Sequence, residues 1–331
     1  MSILFIRGIN DKNKVTPHLT RDGKMAFEFD GSCSIYRYMT YSSDQASAII
    51  LFPESAHQRS VHIKNPPRLI FNEISDPDSH KETLARCTKL CDKFDVPVIN
   101  HPQKIMHTSR DNVAETLNGI PGVQIPRTVQ VTPRAPTDIM DAIRKNDLEL
   151  PVIVRRAGFH GGKSNVLLSS SSDIESLHRF AFDGSAFYLT QFVDYRDKNG
   201  LYTKYRIVVM DGEPVLRHML MSPKWMIHAS SQAYMDEHPE LWVQEEKKYA
   251  EFTSELGNVL QPAIQEISRR LGLDYFGIDC SIDSSAEMLI FEANANMNVL
   301  FNKNPKYNMR VAMIKEKVEQ MIENRVSARI N

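Results

Sequence analysis

The stretch GIDCSIDSSAEMLIFEANANMN, residues 277–298, carries the reading of the fold. Two β-rich runs flank a polar turn. A turn at Ser285-Ala286, or a four-residue loop over 284–287, sets Asp279 directly opposite Glu292. Alternation then puts Ile278, Cys280, Ile282, Leu289, Phe291 and Ala293 on one apolar face. The other face carries Gly277, Asp279, Ser281, Glu292 and Asn294, with Ile290 as its one apolar member. Two carboxylates and an amide oxygen this close repel one another unless a cation lies between them. Hard oxygen donors with few protein contacts suit Mg²⁺, which takes its remaining ligands from water and phosphate. Without a nucleotide site nearby, the same pattern would read as the solvated side of a half-exposed hairpin.

Upstream, AGFHGGKS at 157–164 satisfies a loose P-loop pattern. A P-loop passes from its Lys-Ser directly into a helix whose N-terminus holds phosphate. Here Asn165-Val-Leu-Leu follows, which is strand-like, and PVIV precedes. Strand–glycine loop–strand is the better reading: a lid whose small residues let backbone N–H groups approach phosphate. A plain glycine-containing hairpin remains the alternative.

Between the two lies a cationic run, Lys204, Arg206, Arg217, His218 and Lys224. In YTKYRIVV, alternation puts Lys204 and Arg206 on one face, and Arg217 is the in-plane candidate on the returning strand. Arg206 inside an otherwise apolar strand favours an anion contact. Lys224, His228 and Asn296 are further candidates for a carboxylate site, and the Met- and Trp-containing segment 219–242 for its wall.

Forty basic against 41 acidic residues leave a net charge of −1, which excludes bulk attraction to nucleic acid or anionic membranes. No apolar run approaches the ~20 residues of a membrane span. MSILFIRGIN lacks the basic region and cleavage site of a signal peptide and reads as a first strand. Four cysteines form no CxxC pair; Cys87 and Cys91 share a helix face with Leu84 and Phe94, so buried reduced thiols and a cytoplasmic location are expected.

Along the chain, SILFI, ASAIILF, RLIFNEI and VPVIN read as parallel strands around a helix over 79–94, with Ser79 near its N-cap and a polar loop over 7–24. Residues 105–194 open with a short helix capped by Ser109 and contain the glycine loop; a capped helix is expected over the SSSSDIESLHRF run. The third unit, 195–331, holds a hairpin turning at Asp211-Gly212, a long helix over 251–271 stopped by Gly272, the Asp279/Glu292 hairpin and a C-terminal helix. The boundaries are therefore 1–104, 105–194 and 195–331, in an α/β (α+β) architecture.

This order of motifs resembles the ATP-grasp superfamily of carboxylate–amine ligases, such as glutathione synthetase, D-alanine–D-alanine ligase and the ribosomal-protein glutamate ligase. The resemblance covers roughly residues 65–325. It implies an N-terminal parallel α/β domain and two α+β subdomains that sandwich ATP. Arg110 and Arg155 stand where the family has phosphate-binding lysines, and Gly158, His160, Gly161, Gly162 and Lys163 stand in its glycine loop. Gln191, Phe192, Val193 and Asp194 resemble the strand whose backbone binds adenine. Asp279, Glu292 and Asn294 match the Gly-x-Asp and Glu-x-Asn strands that hold Mg²⁺, implying two ions, and Arg206 matches the Arg-bearing strand.

The activity implied is an ADP-forming ligation through an acyl phosphate, with Arg206 as the catalytic residue. Its substrates would be a small carboxylate and an amine, or a peptide, as in ATP-grasp macrocyclases of ribosomal peptides. Lys204, Arg217, His218, Lys224 and Asn296 are candidate substrate residues. No nucleic-acid or membrane partner is expected; an oligomer is left open. Arginine in place of both phosphate lysines, and no Glu after Gln191, motivate a second reading: an ATP-binding regulatory module that does not ligate.

Overall fold

A computed structural model describes residues 2–20, 22–53, 63, 66–159 and 165–328. Of the glycine loop, His160, Gly161, Gly162, Lys163 and Ser164 lie outside the described residues.

The chain opens with β1 (Ile3–Gly8), whose run of buried aliphatic and aromatic residues suits a strand covered on both faces. A two-stranded hairpin follows, β2 (Thr16–Leu19) and β3 (Met25–Glu28), where the sequence suggested a loop over 7–24. Both strands are largely exposed, so burial left no alternation to read. Next come β4 (Ala46–Leu51), β5 (Leu69–Asn72), α1 (Lys81–Cys91) and β6 (Val98–Ile99). The first sheet is wholly parallel, in the order β4-β1-β5-β6. Helix α1 has His80 at its N-cap, next to Ser79 as expected. The Asp11 carboxylate caps it, accepting from the Glu82 and Thr83 amides at 3.0 and 3.2 Å.

Helices α2 (Pro102–Ile105) and α3 (Arg110–Leu117) lead to β7 (Val123–Gln124). Then come β8 (Thr128–Val131), α4 (Pro136–Lys145), β9 (Val152–Arg156), β10 (Asn165–Leu168) and β11 (Phe187–Gln191). The last four strands form an antiparallel sheet in the order β10-β9-β11-β8. Ile139 and Ile143 of α4 pack on it with Leu177, which lies on a 3-10 helix over Ser171–Arg179. The strand at Asn165 settles the P-loop question: the chain runs from the glycine loop into β10, not into a helix.

The third sheet has the order β13-β12-β14-β15-β7, with β12 (Tyr202–Met210), β13 (Glu213–Ser222), β14 (Tyr275–Ile282) and β15 (Met288–Ala295). Strand β7 pairs with β15 in parallel, and Val113, Leu117 and Val123 share a core with Ile264 and Ile267, so the segment around α3 packs here as well as against β8 of the second sheet. Asp211 and Gly212, with φ of 50° and 82°, make the expected β12–β13 turn. Helix α5 (Ser231–Glu237) precedes one continuous rod: α6 (Pro239–Glu251), a π-helical turn over Phe252–Leu256, and α7 (Gly257–Leu271). Gly257 is required at that turn, since an added Cβ would lie 2.8 Å from the Phe252 carbonyl oxygen. Gly272, at φ 63°, ends the rod as expected. Helix α8 (Asn308–Ser327) sets Ile314, Val318 and Ile322 between Phe5 and Phe71 of the first sheet and Val208 of the third.

Candidate active site

Asp279 and Glu292 are direct partners across β14 and β15, as the hairpin pattern requires. The route to that register differs from the expected one. The loop spans five residues, 283–287, and a bulge between Asp279 and Cys280 absorbs the extra residue. The bulge changes the faces beyond it. Ile290 now pairs with Cys280 and is buried in the core while also bordering a cavity, which Leu289 and Phe291, expected on the apolar face, line as well.

That cavity is about 640 Å³ and lies between the second and third sheets. Arg110, Arg155, Lys204, Arg206, His218, Asp279, Glu292 and Asn294 all reach it. Asp279 is 2% exposed and takes a bidentate pair from Arg206, 2.7 Å on each arm, and a third contact from Lys204 at 2.9 Å. The expectation that Lys204 and Arg206 share a face is met in this joint grip. Glu292 accepts from Arg110 at 2.5 Å, and Arg155 stands 3.7 Å away. Arg110 and Arg155 hold the Glu292 carboxyl well below its usual range, against a desolvation that opposes ionisation. Desolvation tends to raise the Asp279 carboxyl, and its contact with Arg206 and Lys204 outweighs it, so the net direction is down. Burial pushes the Arg155 guanidinium down to about 10, and neighbouring Arg110 adds to the shift. His218 is held well below its ordinary value, first by burial and then by Arg206, Arg217 and Lys204, so its imidazole is neutral.

At the other end, Gln191, Phe192 and Val193 form the edge between the sheets, facing Ile125, Ile153 and Leu289. The Gln191 side chain turns away to the Glu149 and Pro151 carbonyls, at 2.8 and 3.2 Å. The Phe192 amide donates to the Pro151 carbonyl at 3.1 Å. Asp194 pairs with Arg196 instead of facing the cavity. Trp225, Met226, Ile227, His228 and Gln232 complete the wall, as suggested for segment 219–242, and Trp225 meets Phe192 edge-on at 6.0 Å. Thr128, Thr190 and Tyr195 also line the cavity and went unnoticed in the sequence; isolated hydroxyl residues at strand ends give no motif.

Three candidate substrate residues do not line the cavity. Arg217 was the in-plane candidate, but a bulge between Arg206 and Ile207 puts His218 opposite Arg206, and the Arg217 guanidinium goes to the Val299 carbonyl at 2.8 Å and Asn302 at 3.1 Å. Lys224 is exposed, because β13 ends at Ser222 and a turn reverses the alternation. Asn296 is buried in a bridge to the first unit, donating to the Asn72 and Ile74 carbonyls at 2.9 and 3.2 Å and accepting from Asn100 at 2.7 Å. Gly158, at φ 71°, begins the glycine loop beside Ser79.

The donor set fits a hard divalent cation. Asp279, Glu292 and Asn294 present oxygens to one cavity, and the Asn294 amide makes no hydrogen bond among the described residues. No cluster of three or more His, Cys, Asp or Glu side chains occurs among them, so such an ion would need phosphate or water to complete its shell. No helix among them is long and apolar enough to cross a membrane, and all four cysteines are free thiols.

Parallel α/β sheet, antiparallel sheet and mixed sheet, with a cavity between the last two, constitute the ATP-grasp fold. Among solved structures, D-alanine–D-alanine ligase from Coxiella burnetii superposes with a TM-score of 0.55 at 10% identity, over 99% of this chain and 94% of the other. The D-alanine–D-alanine ligase from Bacillus anthracis complexed with ATP gives 0.53 at 10% identity, over 99% and 97%. The D-Ala:D-Ser ligase from Enterococcus faecalis gives 0.50 at 12%, over 92% and 93%. No family model matches the sequence, and no curated protein matches it.

Proposed function

We propose that the protein is an ATP-dependent ligase that joins a carboxylate to an amine through an acyl phosphate, releasing ADP and phosphate. The supporting observation is the charge balance of the cavity. Arg110, Arg155, Lys204 and Arg206 face two carboxylates, Asp279 and Glu292, so the pocket is net cationic while keeping an oxygen donor set. A nucleoside triphosphate with its metal suits that balance.

Adenine would lie between Ile125, Ile153 and Leu289, against the backbone edge at Phe192–Val193. Arg110 and Arg155 would grip the β- and γ-phosphates. Mg²⁺, held by Asp279, Glu292 and Asn294, would supply positive charge against the phosphate oxygens. A substrate carboxylate oxygen attacks the γ-phosphorus, the bond to the bridging oxygen breaks, and ADP leaves. The amine then attacks the acyl carbon, and inorganic phosphate departs as the amine loses its proton. Arg206, which lines the cavity, would offset charge developing at the acyl group. The sheets would exclude water from the hydrolysable intermediate.

The acceptor is a small molecule or a peptide lying along the Trp225–Gln232 wall. The test is ADP release with Mg·ATP against pools of amino acids, small carboxylic acids and short peptides, for wild type and Asp279→Asn. Release that needs both a pool and Asp279 supports ligation. One observation favours a non-ligating ATP-binding module: both acidic residues are already satisfied by protein cations. That reading predicts Mg·ATP binding without ADP formation with any pool.

A further inference from the structure

A ligation that ends in an amide must take a proton from the attacking amine, and the cavity holds few groups able to accept it. Asp279 is gripped by Arg206 and Lys204, and Glu292 by Arg110. The Lys204 ammonium is spent on Asp279. Tyr195 donates its hydroxyl to the Trp225 carbonyl at 3.1 Å, and His228 Nδ1 is engaged by the Ser230 hydroxyl at 2.7 Å. Among the described residues, His218 is the one titratable group on the cavity wall whose side chain makes no hydrogen bond. Its Nδ1 is buried without a partner, so Nε2 is the nitrogen left to face the cavity. A ring kept only for packing would gain by pairing at least one nitrogen.

The surroundings hold this ring in the form a base needs. Arg206 and Lys204 act on it from β12, and Arg217 from its own strand. Arg310 of α8 lies 5.3 Å from the centre of the Tyr307 ring, which is itself 5.5 Å from the imidazole. Glu245 of α6, which packs against β13, is tied to Arg310 at two points. Burial first, and then these cations, leave the imidazole uncharged. The same cations disfavour an ammonium and favour the free amine, the form that attacks a carbonyl.

The strand order β13-β12-β14-β15 spreads the reacting groups across the sheet. Glu292, beside which the nucleotide phosphates would lie, is on β15. His218 is on β13, three strand spacings or about 14 Å away. Arg206, which would attend the acyl group, is on β12 and pairs directly with His218. His218 therefore stands next to the acyl position on the side away from the phosphates, where an incoming amine has room.

We propose that His218 is the catalytic base of the amine step. The amine nitrogen forms its bond to the acyl carbon, the bond from that carbon to the phosphate oxygen breaks, and His218 Nε2 takes the proton shed by the nitrogen. Water then carries the proton to the departing phosphate, which leaves as hydrogen phosphate. The assignment rests on the ligase reading.

Two measurements test it. The first gives wild type and His218→Gln Mg·ATP and the pools of the turnover assay, with and without hydroxylamine, a stronger nucleophile that depends less on a base. His218→Gln should keep hydroxamate formation within about threefold of wild type while amide formation falls at least about 100-fold, the lower end of what a positioned base contributes. Equal loss of both products, or amide formation that survives the substitution, would overturn the base. Neither product and no ADP from wild type would sink the ligase reading, and the base with it. The second needs no turnover: NMR of wild type carrying labelled histidine, with the His218 signal identified by its absence from His218→Gln. The signal should be that of a neutral ring at neutral pH, and an imidazolium there would overturn the base whatever the turnover assay gives.

Discussion

Asn296 separates the roles that sequence and structure give it. In the sequence it stands two residues beyond Asn294 and invites a place in the substrate site. In the structure its amide donates twice into the first sheet and accepts once from Asn100, which itself binds the Tyr275 carbonyl and the Asp274 and Tyr275 amides. Asn296→Ala would orphan three buried partners at about 1 kcal/mol each. The residue sits at φ 51°, where alanine loses about 1 kcal/mol more than asparagine. The expected loss is about 4 kcal/mol. With a urea dependence of about 2–3 kcal/mol per molar, the midpoint of unfolding falls by about 1–2 M. ADP release and nucleotide binding, measured well below that transition, should stay within about twofold of wild type. An unchanged midpoint with turnover lost would refute the bridge and return Asn296 to the substrate site.

Asp279→Asn leaves Lys204 and Arg206 buried without a carboxylate, so a loss of about 3–5 kcal/mol should appear in thermal denaturation together with loss of Mg²⁺-dependent ADP release. Arg155→Lys, which restores the residue type of the resembling ligases, replaces a two-point grip with a point charge. It should weaken ATP binding about fivefold by calorimetry, and tighter binding would show the arginine is not a phosphate contact. Glu73 is fully buried and its carboxyl is raised to about 7, chiefly by desolvation. A raised acid binds its proton more tightly in the folded state, so stability falls as pH rises from about 4.5 to about 7, by up to about 3 kcal/mol, and is flat above. Glu73→Gln should remove that slope from denaturation curves taken across the window.

Much of this architecture is legible in local pattern, and the misreadings on the cavity-lining strands share one cause. The apolar run of β1, the Asp211-Gly212 turn and the stop at Gly272 follow from burial and φ, which the residues themselves encode. The opposition of Asp279 and Glu292 was legible from spacing. The faces of Leu289, Ile290 and Phe291, and the direction of Arg217, were not, because each depends on a β-bulge that inserts one residue and inverts the alternation after it. No residue type announces such a bulge; it is fixed by packing on both sides of the sheet. Segment 102–125 shows the same limit: β7 is two residues long, and its pairing with β15 is a tertiary choice.

Arginine at positions 110 and 155 matters in the free protein. A carboxylate pair facing across two strands would repel itself, yet each member is held ionised by a guanidinium, Asp279 by Arg206 and Glu292 by Arg110. Guanidinium keeps its charge when buried, whereas a buried ammonium loses its proton readily. Arg155, already lowered to about 10 by burial beside Arg110, stays charged at neutral pH. Lysine at that position would start about two units lower and meet the same desolvation, which carries it toward the neutral form. The arginines therefore keep this end of the cavity cationic in a drier setting than lysine tolerates. If the proposed ligation holds, Glu292 would have to exchange part of its grip on Arg110 for the metal, so ligation should show a steeper dependence on Mg²⁺ concentration in wild type than in Arg110→Lys. Titration of ADP release against Mg²⁺ in the two proteins would reveal this, and identical curves would mean that Arg110 stays on Glu292 throughout the reaction.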